Sequence, residues 1–361
     1  MSDWQRPEQR QIILQFTMTI LSLPISSAKR KRLQALSTPQ GTIAALAIDQ
    51  RKSLRRMIAQ AAHCDFSEIT DDRLMEFKAA VTGLLSTETS AVLLDPEYGV
   101  AAAKARAGSC GLLLAYEMDG YENPRPHRML ALLPDQSVRR LRDLGAQGIK
   151  ILLHYAPHDV PAANDEKCAL IERIGNECEA MDLPFFLEPV AYDPNGLDPR
   201  SLEFAKQKPQ WVVDMITEFS KDIYKVDILK VEFPVIAAYV EGSAVYTGQR
   251  AYGLEEALDW FRAADAAARR PYIYLSAGVS SPEFLESLRL ALRAEARFSG
   301  VLCGRANWQE GVPAYAKSAA EFHPDALTDW LRASGLANVR AINELLRSAT
   351  PWHSWFGDAH A

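Results

Sequence analysis

Lys230 lies in the middle of "DILKVEFP" (Asp227–Pro234), a run whose Leu229, Val231 and Phe233 are apolar enough to be covered by helices. Desolvating an ammonium is costly, so a lysine placed there needs a partner or a task. Burial and a neighbouring cation both lower a lysine's pKa, and the neutral amine is a nucleophile toward carbonyl groups. Addition to a ketone gives a carbinolamine, and loss of water gives an iminium ion. That cation draws electrons from the adjacent carbon–carbon bond. The sequence gives the reaction its other parts. Glu188 in "PFFLEPV" can protonate the departing hydroxyl and later exchange protons with the substrate. Lys150 in "IKILLHY" is the neighbouring cation, and Asp49 in "IAALAIDQ" can orient or deprotonate a substrate hydroxyl. The competing use of these groups is an inert buried network, with Lys230 paired to Glu232 or Glu188. Such pairs add little net stability, and a barrel needing only a core would fill it with Val, Ile or Leu.

Positioning these groups requires a regular frame, and the chain has one. Short apolar runs begin at Ile43, Ser90, Gly111, Ile149, Pro184, Ile228, Pro271 and Ser299. Each has strand length, and most follow a turn residue. Between most of them lie segments with apolar residues at helical spacing, such as "DDRLMEFKAAVTGLL", "DEKCALIERIGNECEAM" and "LEEALDWFRAADAAA". Alternation of strands and helices predicts right-handed βαβ units around a parallel sheet. Eight units predict an α/β fold of the (β/α)8 TIM-barrel type, and no GxGxxG follows the first strand to favour a dinucleotide fold. The link between the second and third strands is too short for a long helix. "DALTDWLRASGLANVRAINELL" supplies closing C-terminal helices, and nothing divides the chain into further domains. The expected organisation is an N-terminal extension over 1–28 and a single barrel domain over 29–361.

Barrel enzymes place their chemistry at the carboxyl ends of the strands, and side-chain alternation separates lumen from helix side. Parity assigns Ala45, Ala47 and Asp49 inward on the first strand, Lys150, Leu152 and His154 on the fourth, and Phe186 and Glu188 on the fifth. It assigns Lys230 and Glu232 inward on the sixth, Tyr272, Tyr274 and Ser276 on the seventh, and Cys303 and Arg305 on the eighth. Ser276 is followed by Ala277 and Gly278, and Arg305 follows Gly304. Small residues after strands seven and eight let backbone N–H groups approach a phosphate, and an arginine adds bidentate hydrogen bonds.

Composition narrows the class. The 361 residues carry a net charge of −6 without a basic block, which gives no footprint for nucleic acid. Five scattered cysteines without a CxxC pair point to a reducing cytoplasm rather than a disulfide framework. "QIILQFTMTILSLPISSA" (11–28) is moderately apolar but interrupted by Gln15, Thr17 and Thr19, and is too short to span a bilayer. It is expected to be an extension that packs on the domain or mediates self-association; Met18 within it is a second candidate start. Among seven histidines only His127, His154 and His158 fall near the active face, too few and too scattered for a zinc site, so no metal or cofactor is expected.

"ALAIDQR", "LLDPEYG", "GLLLAYE", "FFLEP", "DILKVEFPV", "YIYLSAGVS" and "GVLCGRA" resemble the class I tagatose-1,6-bisphosphate aldolase family from about Lys29 to the C-terminal helices. The resemblance implies a metal-independent Schiff-base enzyme that splits a ketose phosphate, tagatose 1,6-bisphosphate first among them, into dihydroxyacetone phosphate and glyceraldehyde 3-phosphate. It places the Schiff-base lysine on Lys230 and the acid/base glutamate on Glu188. Substrate contacts fall on Asp49, Gln50 and Lys150, and phosphate contacts on Ser276, Leu302, Gly304 and Arg305. Three stretches depart from the family pattern: Lys52 follows "DQR", "YENPRPHRMLALLPDQSV" replaces the usual loop, and the amino-terminal extension is atypical. Other readings left open are an aldolase for another ketose phosphate, including sulfo-sugar phosphates, a metal-dependent sugar-phosphate lyase or isomerase, and a non-catalytic sugar-phosphate sensor. Homo-oligomerisation is left open, and neither nucleic acid nor membrane is an expected partner.

Overall fold

The computed structural model describes residues 23–118 and 125–356. All eight apolar runs are strands: β1 (Ile43–Ala47), β2 (Ala91–Leu94), β3 (Gly111–Ala115), β4 (Gly148–Tyr155), β5 (Phe185–Ala191), β6 (Ile228–Val231), β7 (Tyr272–Leu275) and β8 (Gly300–Cys303). They pair in parallel, each with its neighbours in chain order, and β8 closes on β1 through Ala45 opposite Leu302. Helices Asp71–Leu85, Pro161–Ala180, Leu202–Phe219, Leu254–Ala267 and Ser281–Arg293 pack outside, and only the six-residue helix Val100–Ala105 links β2 to β3. Ser280 and Glu283 form a reciprocal cap at the start of Ser281–Arg293, which fixes where β7's loop enters its helix. The C-terminal segment runs as Pro324–Trp330, a π turn at Leu331–Gly335, and Leu336–Leu346.

Two cores follow from strand alternation. Leu46, Ile48, Ile151, Leu153, Phe185, Leu187, Leu229, Val231 and Phe233 belong to the outer core beneath the helices. Ala45, Ala47, Phe186 and Ile228 fill the lumen. The lumen's lower mouth is plugged by Leu33 and Leu36 from and beside helix Ser27–Ala35, together with Trp352 and Phe356. Part of the expected extension therefore packs on the barrel: Leu23 and Ile25 rest on the same plug, and Leu23 bridges to Phe356. Residues 1–22, including Met18 and most of the apolar segment, lie outside the described residues, as do 119–124 of the atypical loop. No described helix is long and apolar enough to cross a membrane.

The parity expected for the last two strands is reversed. Tyr272, Tyr274, Val301 and Cys303 lie in the outer core, whereas Ile273, Leu275 and Leu302 face the lumen. The reason is the space that aromatic rings need. Tyr274 stacks on Phe233 with centroids 4.3 Å apart and meets Phe261 and Phe298, a cluster that fits only under the helices. The Tyr272 hydroxyl donates to Asp265 at 2.7 Å on helix Leu254–Ala267.

Candidate active site

Four of the expected residues converge in the upper lumen, and one that was not expected joins them. One step beyond the Leu187–Leu229 pair, Glu188 and Lys230 are level on neighbouring strands. Lys230 Nζ lies 2.8 Å from Glu188 Oε1. Lys150, lower on β4, extends upward so that its Nζ lies 2.7 Å from Glu188 Oε2, 3.0 Å from Asp49 Oδ2 and 2.8 Å from Glu117 Oε1. Every member is buried. Three carboxylates thus converge, and the point between them is held by the Lys150 ammonium.

The charges act strongly in this dry setting. Burial pushes the Lys230 pKa down; Glu188 opposes that and Lys150 reinforces it, leaving the amine below the ordinary lysine value. Burial would raise the Glu188 carboxyl, but Lys150 and Lys230 outweigh it and hold the group below the usual carboxylate range. Asp49 shows the same balance more strongly, with Lys150, Lys230 and Lys78 overcoming burial. Lys78 belongs to a second buried pair beneath the site, with Asp95, and donates to the Ile48 carbonyl at 2.7 Å.

Gln50 donates to Asp49 Oδ1 at 3.1 Å, and its own Oε1 is buried without a hydrogen-bond partner. Glu232 leaves the lumen cluster. It accepts from Ala191 N–H at 2.7 Å and pairs with Lys208 at 3.0 Å, so it is not the partner of Lys230. His154 does face inward, edge-on to Tyr192, and burial with Arg128, Lys167 and Lys150 nearby lowers its pKa to about 3. His127 and His158 bind Asp159 and Asp193 instead, and the three imidazoles do not converge.

Ser276 reaches the site as expected, although the parity of Tyr272 and Tyr274 on its strand is reversed, because β7 ends at Leu275 and the chain turns there. Its hydroxyl accepts from Gly304 N–H at 3.4 Å, joining the two loops expected to hold phosphate. Ala277 and Gly278 both have left-handed backbone, with φ of 48° and 78°. A Cβ on Gly278 would stand 2.5 Å from Arg305 Cζ, so the guanidinium lies directly against the bare glycine. Arg305 opens the short helix Arg305–Trp308, and Leu302 faces the lumen below. From this corner a cleft of about 710 Å³ extends across the barrel mouth, with Arg128, His154, Arg200, Lys208, Ala277 and Gly278 among its walls.

Glu117 was missed by the reading of the sequence. The signal was present, because Leu113 and Ala115 of β3 face the lumen and Glu117 continues their parity.

A closed (β/α)8 barrel with a buried lysine–carboxylate cluster at the carboxyl ends of its strands has the architecture of a barrel enzyme. Residues 43–310 match the model of the DeoC/LacD family aldolases. A tagatose 1,6-diphosphate aldolase of Enterococcus faecalis is 46% identical over 325 residues, covering 90% of this chain and 96% of its own. The tagatose 1,6-diphosphate aldolases of Listeria monocytogenes and Staphylococcus aureus are each 44% identical, covering 92% and 91% of this chain and 96% and 98% of their own. The chain belongs to the DeoC/LacD aldolase family and is a lyase. Among solved structures, a fructose-bisphosphate aldolase from Plasmodium falciparum superposes with a TM-score of 0.62 at 13% identity, over 91% of this chain and 98% of that one. A Schiff-base-forming fructose-1,6-bisphosphate aldolase gives 0.50 at 17% identity over 88% and 99%. At such identities the likeness is one of fold.

Proposed function

We propose that the protein cleaves tagatose 1,6-bisphosphate to dihydroxyacetone phosphate and glyceraldehyde 3-phosphate through a Schiff base on Lys230. The observation that carries this reading is the buried contact of 2.8 Å between Lys230 and Glu188. It lets the ammonium hand one proton to the carboxylate, leaving a neutral amine beside an acid. The amine adds to the C2 carbonyl, and Glu188 returns the proton to the C2 hydroxyl as water departs. The iminium ion then accepts the electrons of the C3–C4 bond while the Glu188 carboxylate takes the C4 hydroxyl proton, releasing the aldehyde. The resulting enamine is reprotonated at C3, and water frees the ketone and Lys230. Asp49, held so firmly as a carboxylate, is suited to orient a hydroxyl rather than to accept its proton.

The phosphate next to the ketone is assigned to Ser276, Gly278, Gly304 and Arg305, where backbone N–H groups and one guanidinium meet. Leu302 would line the lumen beneath it, and Gln50 with Lys150 would contact sugar hydroxyls. The distal half of the sugar phosphate then lies toward the cleft containing Arg128 and Lys208. The names and extents of the curated relatives support the choice of tagatose 1,6-bisphosphate. A cytoplasmic location fits such an enzyme and five free thiols.

The test is release of triose phosphates from tagatose 1,6-bisphosphate with EDTA present, for the wild type and Lys230→Ala. Turnover that survives EDTA and vanishes in the variant supports the reading. Loss of turnover with EDTA would assign the chemistry to a metal, and absence of turnover under all conditions would leave a sensor.

A further inference from the structure

We propose that Glu117 is a positioning residue that keeps the proton on Lys150, so that Lys230 is the lumen lysine that becomes the neutral nucleophile. The inference rests on the Schiff-base reading and deepens it.

The difficulty it resolves is a near-symmetry. Glu188 is shared by two buried amines, at 2.8 Å from Lys230 and 2.7 Å from Lys150. A proton leaving this group could come from either lysine. Buried charges persist only when compensated, so the amine with fewer carboxylates gives up its proton first. Among the described residues Lys230 has an ion pair with Glu188 alone, whereas Lys150 also has Asp49 and Glu117. Asp49 acts on both lysines, since each of them lowers its pKa. Glu117 is different: it pairs with Lys150 at 2.8 Å, and among the described residues no ion pair joins it to Lys230. It is therefore the carboxylate that separates the two amines.

Its local structure fits that use. Glu117 is 1% exposed, and its Oε2 is buried with no hydrogen-bond donor. Its charge is thus not spent on a second hydrogen bond. An orphaned carboxylate oxygen is destabilising, and a residue needed only for packing would not carry one. The backbone is clamped on both sides: Met118 N–H donates to Ala131 O at 2.7 Å, and Leu133 N–H to Tyr116 O at 3.0 Å. Arg51 donates to the Glu117 carbonyl at 2.5 Å and bonds Glu97 at 2.7 Å with its other arm.

The charged and titratable groups around the pair come from every side of the lumen. Asp49 stands on the β1 end, with Arg51 just beyond it, Glu117 on the β3 end and Glu188 on β5. Lys78 acts on Asp49 from helix Asp71–Leu85. His154 on β4 feels Lys150, and Cys303 on β8 feels Lys230.

The experiment compares wild type, Glu117→Gln and Glu117→Asp by the pH dependence of kcat and by borohydride trapping with dihydroxyacetone phosphate. Removing one negative charge makes the first proton easier to lose but lets Lys150 lose it instead. Glu117→Gln is expected to move the acidic limb of kcat down by about one pH unit. Its plateau should fall by about tenfold, with KM little changed, since one pKa unit of preference between the amines is a tenfold change in population. Glu117→Asp, which keeps the charge, retains the limb of the wild type. A wild-type limb and plateau in folded Glu117→Gln would overturn the proposal while leaving the Schiff base on Lys230 intact. Absence of a Lys230 adduct in the wild type would overturn both. Should Glu117→Gln fail to fold, trace labelling of the wild type decides: the labelling midpoint of Lys230 must lie at lower pH than that of Lys150, and the reverse order refutes the proposal.

Discussion

Lys230 and Glu188 touch at 2.8 Å on neighbouring strands, level with each other and both shielded from water. In the proposed mechanism this contact gives a nucleophile and an acid from one proton, and it predicts how the site responds to substitution. Glu188→Gln keeps the shape but cannot pass a proton. Its kcat should fall by about 10²–10⁴-fold. Steady-state cleavage assays check this; a loss below tenfold would move the acid/base role to another group.

The proposed phosphate corner makes a prediction about coupling. Arg305→Ala should raise KM for phosphorylated substrates by about ten- to a hundredfold, the value of a charge-assisted hydrogen bond, and should scarcely affect unphosphorylated analogues. Gly278→Ala should act through the same arginine, because its new Cβ would stand 2.5 Å from Arg305 Cζ and the backbone has a φ of 78°. The double variant should therefore be little worse than either single one. Additive losses would show that the glycine and the arginine serve the ligand independently.

Stability should depend on pH through His154. Its folded pKa is about 3, below the ordinary histidine value, so the unfolded chain binds the extra proton first. Stability is then unaffected above about pH 6.5 and falls by about 1.4 kcal/mol per unit as pH drops below it. Asp49 and Glu188, whose pKa values are also lowered, contribute stability at neutral pH that is lost only on further acidification, below about pH 4. Denaturation of wild type and His154→Gln between pH 7 and 4.5 isolates the histidine. An equal slope in the two would remove it from the account.

Beneath the site, Lys78 and Asp95 are both fully buried and paired. Lys78→Met strands the carboxylate and should cost about 3–5 kcal/mol. Adding Asp95→Asn should recover part of that loss. Urea titration measures both; a neutral Lys78→Met would mean that the aspartate finds another partner.

Most of this frame was legible in the chain. The eight runs became eight strands because alternation and turn residues agree locally, and parity placed Asp49, Lys150, Glu188 and Lys230 correctly. It failed on β7 and β8, where Tyr272 and Tyr274 alternate with Ile273 and Leu275 and both sets are apolar enough for either face. Which set faces outward was decided by Phe233, Phe261 and Phe298, which come from elsewhere in the chain. Ser276 reached the site by the turn after Leu275, which parity does not describe. Glu232 carried the right parity but lies past the end of β6, where Lys208 draws it to the cleft wall. Glu117 was in view at the end of "GLLLAYE", but its worth depended on Lys150 stretching toward it across the lumen.

The central claim is that Lys230 bonds covalently to the ketone. Borohydride reduction in the presence of dihydroxyacetone phosphate, followed by mass mapping of peptides, tests it most directly. The account predicts a single stable adduct on Lys230 that is lost in Lys230→Ala; an adduct on another lysine, or none while cleavage proceeds, would contradict it.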